Sequence, residues 1–271
     1  MLSPATTTAD RRTPIGPAPA SALPARIALW VLWLLWASFL LGGFAFGSLD
    51  ETDANRIPLW CRMASSVTLV AAGVVWCAVA RRTAAVSYTL LITAGMALGT
   101  LGDFFNAGLL DAIFPLPNPV LGGIAAFGLG HIAYISALMH AGNRAELNRP
   151  APRYVSLVVW LLVGAVGWYL VAYTGTDESS RVLVWPALPY SLLLAATAGL
   201  GSGLAVQDRR FVLLGLGTAL FLISDLILAF RLFHGPFRMG GDAVWLTYGP
   251  GQMLIVFAGS MAGIKRLGLK N

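Results

Sequence analysis

Residues 89–110 read TLLITAGMALGTLGDFFNAGLL. Apart from Asp103 the stretch carries no charge. As a helix rising 1.5 Å per residue it is long enough to cross the roughly 30 Å hydrocarbon core of a bilayer. It reads as a transmembrane span. The carboxylate inside it costs free energy there, so something must offset it or use it.

The rest of the chain agrees with a membrane setting. It has 271 residues, 57% hydrophobic and only 11% charged, whereas soluble domains carry about a quarter charged residues. Eight apolar runs near spanning length fall at 27–47, 57–80, 84–108, 119–141, 154–173, 182–206, 211–233 and 243–264. The cuts between them are charge or Pro/Gly clusters such as LDETDANR, FPLPNP and HGPFRMGGD. The expected fold is an all-α integral membrane protein of eight transmembrane helices. Residues 1–26, rich in Pro, Ala and Thr, read as a disordered cytoplasmic tail, 27–264 as the membrane domain and 265–271 as a basic C-terminus. The apolar run at 27–47 is too long for a signal-peptide core, although Ala45-Phe46-Gly47 faintly resembles a cleavage site. Cys61 and Cys77 suggest neither a disulfide framework nor a metal site.

The net charge of +6 is spread over short loops, which fits membrane topology and not a nucleic-acid surface. With eight spans both termini share one side, and that side holds 13 of the 18 Lys and Arg residues. The positive-inside rule then puts both termini in the cytoplasm, in a bacterial-type plasma membrane. GMALGTLGDFFNA (95–107) and GTALFLISDLILA (217–229) match at five positions in register. The match hints at two four-helix halves in parallel orientation.

Of the 12 acidic residues only Asp103 and Asp225 fall inside spans. Each costs about 2.5–3.5 kcal/mol at a helix centre, and such residues face a bundle interior or a water-filled cavity. At 1.5 Å per residue, Asp225 is about 9 Å from Arg231 at the outer edge and Asp103 about 12 Å from Asp111. His131, Tyr248 and Gln252 on the returning spans reach the same layer. Thr100, Asp103 and Asn106 share one helix face, as do His131 and Tyr134, and Tyr248 and Gln252. A single polar pocket among spans 3, 4, 7 and 8 is therefore expected. Gly95 and Gly99 allow a close helix approach, and Pro250 removes a backbone donor inside span 8. Three scattered histidines give no zinc motif and no haem pair, and no P-loop or G-x-S-x-G is present. No cofactor is called for. Ser224 precedes Asp225, but adjacent helix positions point about 100° apart, so no Ser-Asp nucleophile is implied.

G-D-F-F in span 3, G-x-x-H-I-A-Y in span 4, L-F-L-I-S-D-L-I-L-A in span 7 and T-Y-x-x-x-Q-M-L-I in span 8 resemble the YhhN family. That family includes the lysoplasmalogenases of animal and bacterial membranes. Arg56-Ile57-Pro58 is similar to a basic residue near a proline in many members. The resemblance implies hydrolysis of the vinyl ether bond of a lysophospholipid, giving a fatty aldehyde and a glycerophospho-alcohol. Protonation of the alkene carbon needs a carboxylic acid, whose neutral form desolvation favours. A second carboxylate stabilises the cation or takes a proton from water, as in glycoside hydrolysis. Asp103 and Asp225 are the expected catalytic pair. His131, Tyr248 and Gln252 would orient water or the ether oxygen, and Tyr134, Asn106 and Ser224 complete the supporting set. Arg56 or Arg62 would hold the phosphate, although both also suit ordinary interfacial arginines. The competing readings are a proton-coupled transporter or lipid carrier using the same acids, and a scaffold whose polar groups only join helices.

Overall fold

The computed structural model describes residues 22–47 and 56–268. They form α1 (Ala22–Ala45), α2 (Ile57–Ala80), α3 (Val86–Asn106), α4 (Pro119–Arg144), α5 (Pro150–Trp168), α6 (Val184–Gln207), α7 (Val212–His234), α8 (Gly240–Met253) and α9 (Ser260–Leu267). A π-turn, Tyr169–Tyr173, extends α5, and another, Leu254–Gly259, joins α8 to α9. Short 3-10 turns precede α6 and α7, and among the described residues there is no strand. Seven of the helices are long and apolar enough to cross a membrane. The expected eighth run is present as the α8–π-turn–α9 rod. A multi-pass membrane protein follows from this set.

The helix boundaries have local causes. Proline in the first turn of α2, α4 and α5 costs nothing, because those N–H groups have no helical partner. The Asn118 side chain caps α4 by accepting from the Val120 amide at 3.0 Å. Gly235, at φ +92°, ends α7. α1 starts at Ala22, five residues earlier than expected, and accommodates Pro24 in its first turn, where the missing N–H has no helical partner. Residues 1–21 of the expected tail, the acidic LDETD loop and residues 269–271 lie outside the described residues.

Consecutive helices pack as hairpins, α1 on α2, α3 on α4, α5 on α6 and α7 on α8, while α6 also packs on both α4 and α7. Lipid is as apolar as a protein core, so close packing and hydrogen bonds must hold such a bundle together. The backbones accordingly meet at glycines: Gly217 of α7 lies against Gly251 of α8, and Gly130 of α4 against the Gly95 carbonyl of α3. α5 is peripheral, with Val155, Leu162 and Val166 exposed. Trp168, Tyr173 and Trp185 cluster at its end, as aromatic residues do at membrane interfaces. α4 and α7 meet through side chains, with Phe127 and His131 of α4 against Phe221 of α7. The gap between the α3–α4 and α7–α8 hairpins is where the buried acids lie.

Candidate functional site

Asp103 on α3 and Asp225 on α7 line the same cavity, of about 270 Å³, together with Asn106, Arg231, Trp245 and Tyr248. Its walls come from α2, α3, α4, α7 and α8. The two aspartates are only 7% and 8% exposed, so protein donors must replace the water their carboxyls lose.

Asp103 receives two of them on Oδ2, from Ser66 Oγ at 2.7 Å and from Tyr248 OH at 3.0 Å. The second donor heads a chain. Gln252 Nε2 donates to the Tyr248 oxygen at 3.3 Å, and Tyr134 OH donates to Gln252 Oε1 at 2.8 Å. Tyr248 and Gln252 stand one turn apart on α8 and so present both groups on one face. Room for the chain comes from α3, where a Cβ at Gly95 would collide with the Tyr134 ring and one at Gly99 would press on Gln252.

Asp225 is held differently. Tyr190 OH donates to its Oδ2. Ser224 Oγ is 3.1 Å from Oδ1, but the same hydroxyl reaches the Phe221 carbonyl at 2.7 Å. One hydroxyl hydrogen cannot serve both acceptors fully. Tyr190 is therefore the principal donor to Asp225.

His131 does not join either carboxylate network. Its Nδ1 lies 2.9 Å from Thr197 Oγ1, whose own hydrogen goes to the Leu193 carbonyl. Nδ1 must then carry the hydrogen, and Nε2 is left as a buried lone pair with no hydrogen-bond partner. The imidazole packs against Phe221, with ring centroids 4.6 Å apart, behind the cavity wall. Thr100 bonds back to the Met96 carbonyl and does not face the cavity.

The arginines also sort themselves. Arg56 is exposed at the start of α2 and is not among the residues lining this cavity. Arg62 is 0% exposed. It pairs with Asp242, donates to the Gly43 carbonyl at 3.0 Å, and lies over Phe44 and Trp245. It ties α1, α2 and α8 together behind the cavity. Arg231, one turn and a half beyond Asp225, is the arginine that lines the cavity.

A family model described as the YhhN family matches residues 59–259. This chain belongs to the YhhN family. No curated protein and no solved structure gives a significant match. The segment shared with the YhhN family contains both acids and all their hydrogen-bond partners, and it leaves out Arg56 and α1. In this YhhN member, α3, α4, α7 and α8 supply Asp103, Tyr134, Asp225, Tyr248 and Gln252. Ser66 from α2 and Tyr190 from α6 come from helices that the apparent duplication gave no reason to include. Depth alone would have found them. Tyr190 lies about 12 Å into its apolar run and Ser66 about 14 Å into its own, the same layer as the acids.

Proposed function

We propose that this protein is a lysoplasmalogenase-like hydrolase that cleaves the vinyl ether bond of a lysophospholipid within the membrane. The observation that carries the proposal is that two carboxyls from different helices, and no other acid among the described residues, line one cavity. Family membership supports it.

The chemistry closes on the two acids alone. One carboxyl gives its proton to the alkene carbon distal to oxygen, and the ether oxygen shares the resulting positive charge. Water adds to the oxocarbenium carbon and gives a proton to the other carboxylate. The hemiacetal then collapses: the second carboxyl protonates the leaving glycerol oxygen, and the first takes the hydroxyl proton. The products are an aldehyde and an alcohol, and both acids return to their starting states. Trp245, Phe127 and Tyr248 give the cation aromatic walls. The anionic head group lies toward Arg231. On this reading the α8–α9 rod is the eighth span and both termini are cytoplasmic, so the cavity opens at the outer leaflet.

Aldehyde release by purified protein in detergent, from a C16 lysoplasmalogen, tests the proposal. Asp103→Asn and Asp225→Asn should each abolish it while the variants remain folded. Near wild-type turnover by either variant would sink the two-carboxylate mechanism. Activity that exists only in sealed vesicles, as transbilayer movement without aldehyde, would point to a carrier instead.

A further inference from the structure

A second cavity, of about 230 Å³, adjoins the first. Asn106, Phe127, Asp225 and Leu228 line both. Beyond that shared wall the two cavities differ in character. The first carries Asp103 and Arg231. The second runs between α4, α6 and α7 past Val120, Ile124, Ala187, Ala229, Leu232 and Phe233. Its only polar groups, Asn106, Tyr190 and Asp225, belong to the shared wall or hydrogen-bond to it. Two neighbouring spaces, or arms, one with charged side chains in an otherwise apolar lining and one almost wholly apolar, thus share Asp225 as a common wall residue.

We infer that the α4–α6–α7 cavity holds the single aliphatic chain of the substrate, with the scissile bond at the shared wall and the polar remainder in the Arg231 arm. This placement rests on the hydrolase reading above. A vinyl ether bond joins the chain to the head group, so the one arrangement that fills each arm with matching chemistry also sets that bond beside Asp225. The reverse arrangement would bury a phosphate among Val120, Ile124 and Leu232, whose side chains offer it no hydrogen bond. Moving from lipid into this cavity gains no hydrophobic free energy, because both surroundings are apolar. The arm therefore positions the chain, and selectivity comes from shape.

Photolabelling tests the placement independently of turnover. The probe is a lysophosphatidylcholine with a diazirine at mid-chain, irradiated with the full-length protein in detergent, and the labelled peptides are mapped by mass spectrometry. Label is expected on α4 within 120–127 and on α7 within 228–233, competed by unlabelled lysophosphatidylcholine. Ala229→Phe should fill the arm and lower that labelling by about tenfold relative to label on exposed α5. Ala187→Phe, on a different helix, provides the same test if the first variant folds poorly. Label confined to α5 and α1, or labelling of α4 and α7 indifferent to both fillings, overturns the placement even if aldehyde is released. Label in the arm without cleavage of any vinyl ether lipid would instead remove the hydrolase reading.

Discussion

Tyr248 of α8 donates to Asp103 of α3 at 3.0 Å across 145 residues of sequence, and it does so as the last member of a chain that begins at Tyr134. The bond fixes where the Asp103 carboxyl points. It also couples the packing of α4 and α8 to the orientation of one acid. Tyr248→Phe keeps the ring, which stands edge-on to Phe127, Phe221 and Trp245, and removes only the donor. A hydrogen bond to a charged or reacting group contributes about 1.5–3 kcal/mol. Turnover should fall roughly 10- to 100-fold, with the melting temperature lowered by a few degrees. An unchanged kcat would show that Ser66 alone positions Asp103.

Asp225 separates two neighbours that the sequence could not rank. Ser224 is adjacent in sequence, yet its hydroxyl is committed to the Phe221 carbonyl at 2.7 Å. Tyr190 is 35 residues away and donates directly. Ser224→Ala should therefore cost less than about threefold in kcat, and Tyr190→Phe about tenfold or more. Steady-state kinetics on the two variants reads the difference, and the reverse order would reassign the donor.

The fold was largely legible because lipid removes alternatives. Without water, each span must satisfy its backbone internally, so apolar length translates almost directly into helix. The run at 57–80 became α2 with the same bounds. The last run, 243–264, did not become one regular helix: Pro250 lies near the end of α8, and the π-turn at Leu254–Gly259 follows it. The site was legible where charge in an apolar run is costly, at Asp103 and Asp225. It was less legible where the partners are tyrosine and serine, because these cost little in a span and are common there. Arg56 and Arg62 show the same limit. Position at a span end suggests a head-group contact for either, but only three-dimensional packing shows that Arg62 turns inward to Asp242 and that Arg231 faces the cavity.

Arg231 therefore carries a kinetic prediction. If it meets the anionic head group, Arg231→Gln should raise KM about tenfold or more, the effect of losing a charged hydrogen bond. Arg56→Gln, at an exposed position outside the cavity, should leave KM within about twofold. Equal effects from the two would remove the assignment.

Gly95 tests the chain from its far end. A Cβ at this position meets the Tyr134 ring, which is 1% exposed and has nowhere to move freely. Overpacking of this kind costs about 1–3 kcal/mol. Gly95→Ala should displace Tyr134 from Gln252, lowering thermal stability in detergent and also reducing kcat. Tyr134→Phe removes the same hydrogen bond without the clash. A kcat loss shared by both variants, with the larger stability loss in Gly95→Ala alone, is the expected pattern. Loss of kcat only in Gly95→Ala would mean that backbone spacing matters and the chain does not.

The Arg62–Asp242 pair bears on stability more than on chemistry. Arg62 is fully buried, and its guanidinium also holds the Gly43 carbonyl and lies 5.0 Å from the Phe44 ring centroid. Removing one member of a buried pair strands the other in a medium that solvates charge poorly, at a cost of about 3–5 kcal/mol. Replacing both by apolar residues of similar size removes that penalty. Arg62→Met and Asp242→Leu should each lower the melting temperature markedly, and the double variant should lose clearly less than the two single losses added together. The surviving fraction of each should retain wild-type KM, because Arg62 points away from the cavity and toward α1. Additive losses across the cycle would show that the two charges act independently, with Arg62 held by its other contacts and not by Asp242.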